Sequence, residues 1–325
     1  MYGYDIFHEE QMYPLIKSIQ SEKNSHAYIF LGPEGLFKHT CADMAAAALV
    51  CENTGQAPCS SCSACKKAKA YTHPDIKYIT PPKDRKTIGV DTIREISEDA
   101  SIKPFLTKNK VYIIEGDLLT EAAQNAFLKT LEEPPHYAVF IIICSDLQKL
   151  LQTVISRSTI IRFPTLSKEK IKDYITNHYS NENRIDFLIR YSEGNPGKVD
   201  KIINDDEFET LRNNALNNLS FLLSDRELSA YQAADFFEQN KENTVEILNL
   251  WALFLRDILL IMEGFSEQIV NTDLKEKLSS YSSLYSNRRI AFCINQIAIA
   301  LQMCERSVNS RAMILNLCFN AKKTD

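Results

Sequence analysis

The chain has 325 residues, 45% of them hydrophobic and 24% charged, with 9 Gly, 11 Pro and a formal net charge of −5. That is enough for two or three domains with buried cores, and it excludes a disordered or fibrous chain. Residues 1–165 carry 18 Lys and Arg against 19 Asp and Glu, and residues 166–325 carry 19 against 23. Neither half is a basic arm, so strong nucleic-acid binding by this chain alone is not expected, and local patches such as Lys66, Lys67 and Lys69 are left to touch phosphate.

No apolar run approaches the roughly 18 residues that would cross a bilayer, Met44–Cys51 being representative. The opening MYGYDIFHEEQ lacks the basic-then-apolar layout of a secretory signal. The expected setting is cytoplasmic, without membrane, with the nine cysteines reduced.

Ala27–Leu31 reads as the first strand and runs into GPEGLFKHT, Gly32 to Thr40, then an Ala-rich helix. Strand, Gly-rich loop and helix are the setting of a phosphate-binding loop, in which a second glycine lets backbone N–H groups close on phosphate, a Lys reaches it and a hydroxyl binds Mg²⁺. Gly32, Gly35 and Lys38 fit that frame. Phe37, however, stands at the second-glycine position and His39 at the hydroxyl position, with Thr40 one residue late. A large side chain blocks close approach, and neutral imidazole is a poor ligand for a hard cation. The preferred reading is a loop that keeps its architecture and has lost ATP; a living but odd nucleotide site and a plain Gly-rich turn are the alternatives.

Next come Cys51, Cys59, Cys62 and Cys65, in the spacing C-x7-C-x2-C-x2-C. Two overlapping C-x-x-C steps on a tight turn and a fourth cysteine from a helix end suit a closed four-thiolate site, hence structural Zn²⁺. A redox pair has no use for four cysteines, whereas an iron–sulfur cluster is not excluded by the ligands. Cys41, Cys144, Cys293, Cys304 and Cys318 lie scattered in apolar segments and read as core.

Further strands are expected at Asp75–Ile79, Val111–Glu115, Ala138–Cys144 and Thr159–Phe163, and Thr120–Glu133 is the clearest helix, capped by Thr120 and stopped by Pro134-Pro135. Strands that alternate with helices and read as continuous apolar runs indicate a parallel sheet covered on both faces. Glu115 would be the acidic strand end of a nucleotide site, but Gly116 follows where a catalytic carboxylate is expected. After Pro164 helices are expected at Lys168–His178, Ile185–Tyr191, Gly197–Asn204, Phe208–Leu223 and about Val245–Met262, with a turn over Ser192–Gly197. The expected organisation is an α/β domain over 1–165 containing the cysteine module, a small helical domain over 166–206 and a helical domain over 207–325.

Taken together, HAYIFLGPEG, the four-cysteine insert, HPD at His73–Asp75, LTEAAQNAFLKTLEEPP at Leu119–Pro135, FIIICSDLQKLLQTVISRS at Phe140–Ser158 and EGNPGKV at Glu193–Val199 resemble the AAA+ clamp-loader subunits of bacterial DNA polymerase III. The resemblance covers about the first 200 residues and matches the rest only by position and type. It implies an AAA+ ATPase-like module, a small helical lid and a C-terminal collar for oligomerisation. It also implies partners: the gamma/tau ATPase subunits, the delta subunit, the sliding clamp, and primer–template DNA through the assembly. By the same resemblance Arg157, in Ser156-Arg157-Ser158, corresponds to an arginine finger given in trans to a neighbour's ATP, with Ser158 where the family has Cys. Lys198 falls at the second sensor and, without nucleotide, is left to cap a helix. The family's motors keep an intact phosphate loop and a segment after the acidic strand end one residue longer than Glu115–Thr120, so Phe37 and His39 indicate a non-hydrolysing subunit. An active motor of the same assembly and a zinc-stabilised DNA-binding regulator on a retired ATPase fold are the rival readings.

Overall fold

The computed structural model describes residues 8–179, 182–205, 207–305 and 309–322. Two compact units are present: Met1–Ile171 with Gly194–Gly197, and Lys172–Glu193 with Lys198–Asp325.

The first unit alternates α1 (Glu9–Gln20), β1 (Ala27–Leu31), α2 (Lys38–Leu49), α3 (Ser63–Lys69), β2 (Ile76–Ile79), α4 (Val90–Ala100), β3 (Lys110–Glu115), α5 (Glu121–Glu132), β4 (Ala138–Cys144), α6 (Gln152–Ile155) and β5 (Thr159–Arg162). The five strands form one parallel sheet in the order β2-β3-β4-β1-β5. Strand alternation divides the core. Phe30, Ile113 and Ile141 face α1, α2 and α3, whereas Ile29, Tyr112 and Phe140 face α4, α5 and α6. The all-apolar run of β4 therefore has a direct cause, since every residue of it is buried on one face or the other. Phe127 of α5 meets Phe140 edge to face at 5.0 Å between ring centroids. Truncating it to Ala would remove about 3–5 kcal/mol.

The expected strands and the α5 helix are present with shifts of one residue at their ends. Thr120 caps α5, its hydroxyl accepting from Ala123 N–H at 3.2 Å. Asp75, expected inside a strand, instead lies just before β2 and is buried. Its carboxylate accepts from the N–H groups of Phe105, Leu106 and Thr107 at 2.6, 2.8 and 3.1 Å. Burial opposes the charge, but these three bonds and the Thr107 hydroxyl hold the Asp75 carboxyl below its ordinary range.

The second unit is helical. It contains α8 (Ile185–Ser192), α10 (Phe208–Leu223), α11 (Glu227–Gln239), α12 (Thr244–Met262), α13 (Lys275–Ser282), α14 (Asn287–Glu305) and α15 (Ser310–Ala321), while α7 (Lys168–His178) and α9 (Pro196–Asn204) run across the boundaries in the chain. Trp251 of α12 is buried and donates its indole N–H to the Ala215 carbonyl at 2.8 Å. Arg212 is also buried; it bonds the Asp273 carboxylate and the Asn271 amide oxygen and lies 3.9 Å from the Phe187 ring centre. Asp257 completes the network by accepting from Val270 and Asn271 N–H. No helix among the described residues is long and apolar enough to cross a membrane. Of the scattered cysteines, four are buried as expected, while Cys304 is only partly buried, with the buried Met313 Sδ at 3.6 Å.

Candidate functional site

At the carboxyl ends of β1 and β4, which are neighbours in the sheet, the chain leaves in opposite directions, from β1 towards β2 and from β4 towards β5. Such a switch point leaves a crevice for ligand in parallel α/β sheets. The loop Gly32–Phe37 lies there and leads into α2, where Phe37 takes the left-handed conformation at φ +55°. A glycine would adopt that conformation freely, so Phe37 keeps the turn of a phosphate loop at a cost of about 1–2 kcal/mol.

The carbonyls of this loop already have partners, one after another. Lys38 Nζ donates to the Gly32 carbonyl and, at 2.7 Å, to that of Pro33. Asn195 Nδ2 donates to Glu34 O at 2.6 Å, Gly197 N–H to Gly35 O at 2.9 Å, and Cys41 N–H to Phe37 O at 3.0 Å. His8 Nε2 is 3.0 Å from Leu36 O, so the tautomer with the proton on Nε2 completes the series. Gly35 and Gly197 pack so closely that a Cβ on Gly197 would come within 2.5 Å of Gly35 Cα. Lys38, which in an active loop reaches for phosphate, is buried against its own turn; burial lowers its pKa, and Asp117 and Glu34 partly restore it.

The metal end of the crevice is also occupied from within. His39 Nε2 and Glu115 Oε1 are 2.7 Å apart, and this hydrogen bond raises the pKa of His39 above its ordinary 6.5. The pair stands at the acidic strand end, where a hydroxyl–Mg²⁺–carboxylate arrangement would stand in a nucleotide site. Gly116 has no room for a carboxylate, since a Cβ there would lie 2.6 Å from Ile142 Cγ2 and 2.8 Å from the Ile143 carbonyl. Asp117 turns to β4 and accepts from Ser145 N–H at 2.9 Å. A cleft of about 320 Å³ remains, lined in part by Glu34, Glu115 and Asp117 against Lys38 and His39.

Arg157 occupies a contrasting position. α5 fixes its approach: the buried Gln124 donates to Lys149 O at 2.9 Å and accepts from Leu151 N–H at 2.7 Å, which sets the start of α6. Arg157 follows α6, one-third exposed, with Nη2 2.6 Å from Glu132 Oε1 and Nη1 donating to Thr153 O at 2.9 Å. Glu132 is itself half-exposed. An ion pair of this kind contributes about 0–1 kcal/mol and is readily exchanged for another anion.

The cysteine module sits between α2 and α3. The four sulfurs of Cys51, Cys59, Cys62 and Cys65 lie within 4.8 Å of one another. Cys62 N–H donates to Cys59 Sγ at 3.4 Å and Cys65 N–H to Cys62 Sγ at 3.3 Å, contacts that stabilise thiolate. The Cys59 thiol is lowered to about 6, first by the Ser61 hydroxyl, whereas burial raises Cys65 and Cys51. Four converging sulfurs with N–H support suit a tetrahedral metal with about 2.3 Å metal–sulfur bonds.

Lys198 is not placed to cap the carbonyl end of α9. It lies in the first turn of α9, where N–H groups rather than carbonyls emerge, and it pairs with Glu193 at 3.1 Å. His8, Asn195 and Glu132 were not singled out from the sequence as site residues. The EGNPG run signalled a turn between helices but not its bond to the loop, and nothing marked His8.

A family model described as DNA polymerase III, delta subunit matches residues 7–167, and one described as DNA polymerase III, delta subunit, C terminal matches 206–320. The chain is 28% identical over 312 residues to DNA polymerase III subunit delta' of Bacillus subtilis, covering 93% of this chain and 92% of the relative. It is 26% identical over 286 residues to the Escherichia coli subunit delta', with coverages of 87% and 84%. A match to the Bacillus subtilis subunit tau has higher identity, 36%, but covers 48% of this chain and 28% of that protein. Similarity that runs through both units, on an AAA+-like parallel sheet followed by helices, places the chain in the delta-subunit family of DNA polymerase III clamp-loader proteins.

Proposed function

We propose that the chain is a non-hydrolysing clamp-loader subunit that binds no ATP in its own loop and lends Arg157 to the ATP of a neighbouring gamma/tau-type subunit. The observation that carries this reading is Lys38 folded onto the Gly32 and Pro33 carbonyls of its own turn, with Phe37 in the glycine conformation and His39 paired with Glu115. Phosphate would have to displace Lys38 from its carbonyls and part His39 from Glu115. Arg157 needs only to leave an exposed carboxylate, and a guanidinium delivered to a phosphoryl-transfer transition state neutralises its developing charge.

In this reading 1–165 is the AAA+-like domain, 166–206 the lid and 207–325 the collar, in a cytoplasmic assembly with the delta and gamma/tau subunits that acts on the sliding clamp and primer–template DNA. Zn²⁺ would be held by Cys51, Cys59, Cys62 and Cys65, where four thiolates leave no open position and the metal ties the end of α2 to α3. The motor reading is disfavoured by the closed loop and by Gly116.

The test is a reconstituted loader containing the Arg157→Ala chain. ATP hydrolysis and clamp loading are expected to fall about a hundredfold or more, while assembly persists. Unchanged hydrolysis and loading would remove the finger assignment.

A further inference from the structure

The second unit contains a cleft of about 450 Å³ that the clamp-loader reading does not use. Its apolar lining comes from Tyr191 of α8, Ile202 of α9, Phe208 of α10 and Leu253 of α12. Tyr191 and Phe208 meet edge to face at 5.7 Å, and burial pushes the Tyr191 hydroxyl up to about 12, so it stays a neutral donor. Charged side chains line the same cleft: Arg190, Lys198, Lys201 and Arg256 against Glu193 and Glu246.

Pairing divides these charges. Glu193 is 3.1 Å from Lys198 and Glu246 is 3.5 Å from Lys201, which cancels the lysines. Arg190 is held by the carbonyls of Glu267 and Ile269 at 2.7 and 3.1 Å, neutral acceptors that fix its guanidinium without removing its charge. Arg256 is exposed and has no hydrogen-bond or ion-pair partner among the described residues. The cleft therefore keeps two guanidinium charges, which matches the charge of roughly −2 on a phosphate monoester at neutral pH.

We propose that this cleft is a binding site for a phosphate-bearing planar anion, with the phosphate between Arg190 and Arg256 and the flat apolar part against Tyr191, Phe208 and Leu253. Guanidinium forks bind phosphate with paired, charge-assisted N–H bonds, and an aromatic floor accepts the face of a base. A free nucleotide and the terminal nucleotide of a single strand share this chemistry. The site is separate from the phosphate loop, needs no divalent metal, and stands or falls independently of the finger assignment.

The experiment is equilibrium binding of ADP, of a 5′-phosphorylated oligothymidylate and of pyrophosphate to the full chain, without added Mg²⁺. Saturable ADP binding is expected, weakened about tenfold or more by Arg256→Gln and strengthened severalfold by Glu246→Gln. Lys38→Ala, in the separate phosphate loop, and the exposed first-unit variant Lys86→Gln are expected to leave it unchanged. Competition by the oligonucleotide at lower concentration than ADP would assign the site to a strand end, and weaker competition to the free nucleotide, both within the proposal. Absence of saturable binding of ADP and oligonucleotide alike would overturn it, as would equal affinity for pyrophosphate, loss of binding in Lys38→Ala, or indifference to both Arg256→Gln and Glu246→Gln. Arg256→Gln alters an exposed side chain with no partner to lose, so misfolding does not confuse the result.

Discussion

The Gly32–Phe37 loop and the Arg157 corner belong to one unit and are built in opposite ways. At the loop, Lys38, His8, Asn195 and Gly197 satisfy the backbone from several sides, and His39 closes on Glu115. At the corner, a rigid base formed by Gln124 and α6 carries an arginine whose carboxylate partner is a half-exposed Glu132. The difference lies in what an incoming phosphate must displace: the Lys38 bonds, each worth about 1–3 kcal/mol, and the His39–Glu115 pair at the loop, against an ion pair worth about 0–1 kcal/mol at the corner. The two places thus differ in the internal partners of their polar groups, although both keep the residue that names the motif.

The comparison can be sharpened first at the corner. Arg157→Lys keeps the charge and loses the planar fork, so hydrolysis by a reconstituted loader should fall at least about tenfold while the melting temperature of the isolated chain hardly moves. A large loss of stability instead would make Arg157 a structural residue. The metal module stands apart from both regions. Stripping metal from it, or replacing Cys59 by Ser, is expected to disorder the turn before α3 and lower the stability of the first unit, read by bound-metal analysis alongside thermal unfolding. A chain that purifies without metal and unfolds identically with a chelator would contradict a structural zinc site.

At the loop, Gly197→Ala drives a methyl group into Gly35 Cα and is expected to cost about 1–3 kcal/mol of unfolding free energy. A neutral result would mean that the contact between these glycines is loose. The smallest effect concerns pH. His39 gains a partner on folding, so its pKa is raised and its contribution is complete below about 6.5 and lost as pH rises through the higher folded value. Imidazole resonances should titrate above 6.5 in the folded chain and return towards 6.5 in Glu115→Gln; no difference between the two would show that the pair does not form.

Much of this was readable in the residues. The strands of the sheet, the Thr120 cap, the loop with its two departures and the four cysteines all follow local rules of period, capping and spacing, and each is found in place. What the sequence concealed is long-range. Asn195 reaches Glu34 across 161 positions and His8 reaches Leu36 across 28, and no local pattern foretells either bond. Asp75 looked like a strand residue because apolar neighbours follow it, whereas its carboxylate is taken by the loop at 105–107. Lys198 lies in the first turn of a helix that begins at Pro196, and its ion pair with Glu193 is a contact that no local pattern foretells.

The central claim is that the phosphate loop is closed by the chain itself. It is tested most directly by equilibrium binding of a slowly hydrolysed ATP analogue to the isolated chain with Mg²⁺, comparing the natural sequence with Lys38→Ala. The account predicts no Mg²⁺-dependent binding that the substitution removes, and saturable Mg²⁺-dependent binding abolished by Lys38→Ala would contradict it.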